Sequence, residues 1–268
     1  MYRVSIIGLG FVGGAMFKSF TEKGANVYGY DKYKNGGMGN IEQCLNSELC
    51  FLALPTLYND KTEEYDKSAL NEVCQFLNTN KYTGIIVIKS TVEPTVTEAL
   101  SSKFTNLKFI HNPEFLTART AYHDFHNQPR IILGLANNVD DDDYNVVYKF
   151  YNEYYPNAEI IKCTSNESES MKIFVNTFYA TKIQIFNEFY LMCNKLNVDF
   201  NNVKKLMLGN KWINPRHTNV PGPDGKLSYG GACFPKDTSA LLAMMRREDV
   251  PCSVLNGVVK ERDTMRDD

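Results

Sequence analysis

Apolar positions along the chain fall into two regimes. In the first, short apolar runs alternate with amphipathic stretches; in the second, apolar residues recur only at helical spacing. The runs Arg3–Ile7, Ala25–Tyr30, Leu49–Leu54, Gly84–Lys89, Leu107–Ile110, Arg130–Gly134 and Glu159–Lys162 predict strands. Helical patterns pass through Met16, Phe17 and Phe20, over Ala69–Leu77, and over Asp141–Tyr155. Strand and helix in alternation predict an α/β domain over 1–163, a Rossmann-like doubly wound parallel sheet.

The second regime opens on Thr164-Ser165-Asn166-Glu167, which has the form of a capping box. No Gly or Pro occurs between Pro156 and Gly209, and Met171, Phe174, Val175, Phe178, Ile185 and Phe189 keep helical spacing. They predict one helix of about thirty residues, a length that usually bridges domains or lies against another subunit. Asp199–Leu208 predicts another helix. After the irregular stretch Gly209–Tyr229, Pro235–Arg247 and Ser253–Arg266 predict two more. Residues 164–268 thus read as a long central helix with a small all-α domain.

Composition narrows the function. Net charge is −2, from 29 Lys+Arg against 31 Asp+Glu, and the basic residues are scattered, so neither nucleic acid nor an anionic membrane is an expected partner. The acidic run Asp140–Asp143 is most simply a solvated helix start. Met1 leads straight into a strand pattern, and no apolar run approaches membrane-spanning length, so the expected location is the cytoplasm. Seven cysteines without a CxxC pair support neither a disulfide framework nor a zinc site, and no metal is expected.

Candidate chemistry lies at the strand ends. Gly8, Gly10 and Gly13 space a GxGxxG turn between a strand and a helix, with Phe11 and Val12 between the second and third glycines. Gly8 makes the tight turn, Gly10 admits a pyrophosphate and Gly13 packs helix on strand, unless this is a glycine turn of an unrelated α/β protein. Asp31 follows about twenty residues on, where a carboxylate accepts from the adenosine ribose hydroxyls, which favours NAD over NADP. Thr56, Ser90 and Thr91 follow strands, where they either face a nicotinamide or substrate or cap the next helices, and Pro94 suits the first turn of such a helix. Glu114, in the NPEFL run with Phe115 and Leu116, is an acid/base candidate whose pKa burial would raise, or a helix-start charge. Lys172 and Asn176 share one helix face, as wet surface or as part of a site.

In the run GGACFPKD, Gly230 and Gly231 let backbone approach a ligand, and Pro235 suits the start of a helix. Cys233 then sits at the positive end of a helix dipole, which favours the thiolate. Lys236 and Asp237 add a cation and a carboxylate within a turn of the sulfur. The plainer reading is a buried cysteine in a glycine turn.

GLGFVG with Asp31, KSTVEP, NPEFL, MKIFVNTFYATKIQIFNE and GGACFPKD, in this order, resemble the UDP-glucose/GDP-mannose dehydrogenase family over nearly the whole chain. The resemblance implies NAD-dependent oxidation of a nucleotide-sugar C6 alcohol to the carboxylate, UDP-glucose to UDP-glucuronate in the leading case. Two hydride transfers would pass through a thiohemiacetal and thioester on Cys233. It implies Asp237 as base or water-orienting group, Lys172 and Asn176 as oxyanion stabilisers, Glu114 in the acid/base steps of hydrolysis, and Thr91 positioning water or cofactor. Thr56 and Lys236 would lie on the cofactor side. Phe115, Leu116, Tyr229 and Gly230 would line the substrate, and Arg216 would reach the neighbouring subunit's ligand in a homodimer built on the long helix. GDP-mannose or another UDP-sugar, or a non-catalytic NAD- and sugar-nucleotide-binding subunit, stay open as alternatives. Two departures stand out. Ala118 replaces a glutamate the family often has, which implies a different arrangement for hydrolysis. The sequence ends at Asp268, whereas typical members continue into a third, Rossmann-like domain.

Overall fold

A computed structural model describes residues 2–267, and the side chain of Ala118 lies outside that description. The chain forms two compact units, one of Met1–Leu57 with Tyr65–Lys172, the other of Tyr58–Glu64 with Ile173–Asp268. In the first unit lie the strands β1 (Arg3–Ile7), β2 (Asn26–Tyr30) and β3 (Leu49–Leu52). A two-residue-per-strand hairpin, β4 (Tyr58–Asn59) and β5 (Glu64–Tyr65), precedes β6 (Ile85–Ile88), β7 (Lys108–His111), β8 (Arg130–Leu135) and β9 (Glu159–Thr164). The helices are α1 (Phe11–Glu22), α2 (Ser68–Thr79), α3 (Val96–Lys103), α4 (Ala121–His126) and α5 (Asp141–Tyr154). Then follow α6 (Ser165–Leu196), α7 (Phe200–Leu208), α8 (Phe234–Arg247) and α9 (Ser253–Met265).

The seven-stranded sheet has the order β2-β1-β3-β6-β7-β8-β9. It is not wholly parallel, as the strand–helix alternation had implied. β7 pairs antiparallel with β8, and β9 follows β8 in the reversed direction. Between β7 and β8 the chain packs α4 onto α1 instead of crossing over the sheet, so β8 enters from the opposite end.

Side chains alternate across the strands, as the pleat requires. Val4, Ile6, Phe51 and Val87 face one layer with Phe20 of α1, Phe125 of α4 and Phe150 of α5. Ile7, Leu52, Ile86 and Ile88 face the other with Leu70 and Cys74 of α2 and Leu100 of α3. Phe20 is the hub of the first layer, its ring centroid 5.4 Å from Phe51, 5.5 Å from Phe125 and 5.1 Å from Phe150. Phe125 and Phe150 meet Phe20 edge to face and Phe51 meets it tilted, arrangements that aromatic rings prefer to a face-to-face stack.

Two helix starts behave as the sequence predicts. Asp140 and Asp143 form a reciprocal capping box on α5. At α6 the Glu167 carboxylate accepts from the Thr164 N–H at 2.8 Å, and the Thr164 hydroxyl accepts from the Glu167 N–H at 3.3 Å. A third differs. Pro94 lies ahead of α3, which begins at Val96 after Thr95, a residue in the left-handed region at φ 80°. No side chain of the turn caps this helix; Glu169 of α6 accepts from the N–H groups of Thr95 and Thr97, both at 2.8 Å.

In the second unit Phe186 and Cys193 of α6 pack against Phe200 of α7. The segment leading to α8 is held by side chains. Asn187 accepts from the Ser228 N–H at 2.9 Å, and Arg266 donates to the Leu227 carbonyl at 3.2 Å and to Asp224 at 2.6 Å. Among the described residues no helix is long and apolar enough to cross a membrane.

Glu169 gives stability a pH slope. Burial pushes its carboxyl up to about 7, against the pull of its two N–H donors. In the unfolded chain that carboxyl ionises near its ordinary value, so its favourable contribution is complete below that value and is lost as pH rises through about 7. Urea unfolding of the wild type should lose about 2–3 kcal/mol from this group across that window. Glu169→Gln should lack this part of the slope.

Candidate active site

In the first unit the loops at the carboxyl ends of β1, β3, β6 and β7 carry the predicted site residues. That is the edge where open α/β sheets bind ligands. At the glycine turn Gly8 has φ +91°, and a Cβ there would lie 2.4 Å from the Ala53 carbonyl oxygen. A Cβ on Gly13 would lie 1.8 Å from the Gly8 oxygen, whereas at Gly10 nothing lies within 4 Å. Two glycines are therefore demanded by packing and the middle one leaves open space. Gly10 is also the N-cap of α1 and offers the helix no side-chain cap. The first N–H groups of α1 thus point to a place suited to a pyrophosphate, and the cradle fits NAD. Phe11 is exposed at this turn, and Val12 packs against the core.

Asp31 does more than the sequence suggested. One carboxylate oxygen accepts from the Leu9 N–H at 2.7 Å, and the other accepts from Tyr33 and Lys34 N–H at 2.9 and 2.8 Å. Burial raises its pKa, but these backbone donors outweigh burial and hold it below the usual range. It therefore pins the glycine turn as an ion. A carboxylate has about four acceptor positions, which leaves room for a ribose hydroxyl.

Thr56 and Ser90 cap no helix. The Thr56 hydroxyl donates to the Thr91 carbonyl at 2.7 Å, and the Ser90 hydroxyl meets Leu54, donating to its carbonyl at 2.8 Å. Both are buried, and they stitch the loop after β3 to the loop after β6. Thr91 is half-buried.

Glu114 meets Lys172. The Lys172 ammonium donates to the Glu114 carboxylate at 3.0 Å and to the Glu114 carbonyl at 2.5 Å. It also lies 5.2 Å from the centre of the Phe115 ring, whose other neighbour is Arg130 at 4.7 Å. Leu116 packs on the core, and its N–H donates to the Glu114 carboxylate at 2.6 Å. The expected rise in the Glu114 pKa does not occur. Burial pushes it up, but the Lys172 charge, the Leu116 N–H and the charge of Lys89 together bring it below the ordinary value. Glu114 is a carboxylate at neutral pH.

In the second unit Asn176 donates to Asp237 at 2.6 Å, and Lys236 donates to the other Asp237 oxygen at 2.5 Å. Asp237 is fully buried. Lys172 and Asn176 stand four residues apart on α6, hence on one face. Cys233 is the N-cap of α8, with Pro235 in the first turn. Among the seven cysteines it alone is exposed. Burial raises the thiols of Cys44 and Cys74 to about 11 and about 12, which makes them inert at neutral pH.

Two expected substrate contacts are placed otherwise. Tyr229 is buried in the second unit, and a side chain on Gly230 would run into Arg266 at 2.4 Å. Any contact they make to a ligand is through backbone. Arg216 is exposed on the loop after α7. Sequence reasoning missed Lys89, Glu169 and the His111–Ser168 pair, hydrogen-bonded at 2.8 Å. A lysine closing the apolar run of β6 was the one signal available.

Residues 38–153 match the NAD binding domain of the UDP-glucose/GDP-mannose dehydrogenase family, and residues 166–263 match that family's central domain. The UDP-glucose 6-dehydrogenase of Campylobacter jejuni is 28% identical over 228 residues, covering 82% of this chain and 54% of that protein. That of Rickettsia bellii is 30% identical over 227 residues, covering 82% of this chain and 50% of the relative. This chain thus spans about half the length of these curated relatives. The solved UDP-glucose dehydrogenase of Pyrobaculum islandicum superposes with a TM-score of 0.84 at 22% identity, over 98% of this chain and 68% of that one, a likeness of fold.

Gly13→Ala tests the cradle. Its added methyl has no space, so NADH affinity measured by titration calorimetry should fall at least about tenfold. Gly10→Ala, placed in open space, should keep the turn's own conformation, with far-UV circular dichroism unchanged.

Proposed function

Because the chain belongs to the UDP-glucose/GDP-mannose dehydrogenase family, matched in both its NAD binding and central domains, we propose that it oxidises a nucleotide sugar at its C6 alcohol to the carboxylate. UDP-glucose is the proposed substrate. Residues 1–163 would bind NAD, and residues 164–268 would carry the catalytic cysteine. The observation that carries this reading is Cys233, exposed at the N-terminus of α8 in a segment whose Asp237 is buried against Asn176 and Lys236.

NAD, when bound, accepts hydride from the sugar carbon in each of two rounds. The C6 hydroxyl gives its proton to solvent water as the first hydride departs, so the alcohol becomes an aldehyde. The Cys233 thiolate, favoured by the helix N-terminus, then forms a carbon–sulfur bond, and the negative charge passes to the aldehyde oxygen. Lys172 and Asn176 stabilise that oxygen. Departure of the second hydride leaves a thioester. Water adds to it, giving one proton to Glu114 while Asp237 orients it; the carbon–sulfur bond breaks, restoring the thiolate, and the acid released loses its second proton to solvent to become the carboxylate. Thr91 positions the water or the cofactor, and Lys236 supplies local positive charge beside Asp237. Phe115, Leu116 and the backbone at Tyr229 and Gly230 line the substrate.

A homodimer through α6 belongs to the same proposal. Phe174, Phe178, Ile185, Phe189, Met192 and Leu196 repeat at helical spacing, yet are 37–65% exposed. A stripe of large apolar side chains facing water is the signature of an interface. Arg216 would then serve the neighbouring subunit's ligand.

Purified protein given NAD and a panel of nucleotide sugars should form two NADH per sugar consumed. One NADH per sugar would mean a plain alcohol dehydrogenase, and none with any sugar a binding subunit. Turnover of GDP-mannose or an acetamido UDP-sugar alone would reassign the substrate. Cys233→Ser should lower acid formation by about a thousandfold or more and leave NADH affinity unchanged. Phe178→Asp should shift the sedimenting species from dimer to monomer; an unchanged dimer would remove α6 as the interface.

A further inference from the structure

Beneath Glu114, within the first unit, lies a second lysine that the steps above leave without a task. Lys89 follows β6 and is only 2% exposed. Its Nζ donates to the Asn112 side-chain oxygen at 3.0 Å and to the Pro113 carbonyl at 3.3 Å, and it lies 5.6 Å from the centre of the Phe125 ring. Among the described residues no carboxylate lies within ion-pair distance of it. Burial disfavours the charged form of an amine without a paired anion, and it lowers Lys89 to about 7 against the pull of the Glu114 charge, so the amine is an ammonium below that pH and partly neutral at it. What that amine does is hold a turn.

That turn is gripped from every side. Asn112 is buried; its oxygen also accepts from the Tyr151 hydroxyl of α5 at 2.5 Å, and its amide donates to the Ile132 carbonyl of β8 at 2.7 Å. The next carbonyl, of Pro113, receives Lys89; the one after it, of Glu114, receives Lys172. Two successive carbonyls are thus held by two lysines on the backbone that carries the Glu114 carboxylate. Four titratable groups face Lys89. His111 on β7 is driven down to about 3, by burial first and then by the Lys89 and Lys172 charges, so it is neutral. Burial keeps the Tyr151 phenol protonated, leaving Glu114 and Lys172 as the charged neighbours.

We infer that Lys89 is a positioning residue: its amine donates to Asn112 and Pro113 so that the backbone carrying the Glu114 carboxylate is fixed in place for the product-release step proposed above. This rests on the proposed function for the identity of the reaction, but not for the electrostatic effect on Glu114.

Lys89→Met and Lys89→Gln test it with two readouts. The first needs no turnover. The Glu114 carboxyl, followed by carbon NMR, should titrate at higher pH in Lys89→Met by roughly half to one unit, because one of its two cations is gone. The second follows the reaction. Lys89→Met should lower kcat by roughly 10–100-fold with KM within about twofold, and intact mass should show the sugar adduct accumulating on Cys233. Lys89→Gln, which keeps a donor without the charge, should fall between. Wild-type protein that consumes no nucleotide sugar would sink the proposed function while the NMR titration still judged Lys89. An unmoved Glu114 titration, or loss of kcat with no adduct on Cys233, would overturn the inference. So would unfolding of both variants, since Lys89 would then be a purely structural residue.

Discussion

The first two turns of α6 must be satisfied inside the protein, and much of the first unit is arranged to do so. Ser165, Ser168, Glu169 and Lys172 are each no more than 4% exposed. A buried polar group without a partner costs about 1–3 kcal/mol, and a charged one more. Each of these side chains meets a different segment. Ser165 donates to Glu98 of α3, Ser168 shares a hydrogen bond with His111 of β7, Glu169 receives the start of α3, and Lys172 receives the turn after β7. Four contacts therefore set where the end of the sheet lies against one helix.

The same region shows how charge is sorted by surroundings. Glu114 is buried yet ionised because two lysines flank it, whereas Glu169, buried beside hydrogen-bond donors and the Glu98 charge, holds its proton to about 7. His111 is kept neutral by burial and by those same two lysines. Two cysteines follow the rule too: burial raises the thiols of Cys44 and Cys74, whereas the one exposed cysteine, Cys233, stands at the start of a helix. Charge state is thus set at each of these groups by solvent access and neighbouring charge, and not by residue type.

Elements whose information is local were legible in the sequence. Strand runs, the acidic helix start at Asp140–Asp143, the Thr164 cap, the α6 pattern and the proline at the start of α8 all act within a few residues, and the structure agrees with them to within one or two positions. Departures occur where a distant residue supplies the local need. Pro94 was expected to open α3, but Glu169, far along the chain, takes that helix's N–H groups, and the helix starts later. Glu114 was expected to be raised by burial, but Lys172 reverses the sign.

By itself, then, the sequence determined the order of strands and helices, the glycine turn with its carboxylate, and the cysteine at the start of α8, whose exposure the structure supplied. Periodicity, caps and turn chemistry are properties of neighbouring residues. Only the tertiary structure decided the reversed direction of β8 and β9, the ionisation of Glu114, the task of Asp31 at the Leu9 N–H, and the burial of Lys89 under the turn it holds. Each of these depends on which groups meet across tens of residues, and a chain read residue by residue carries no record of those meetings.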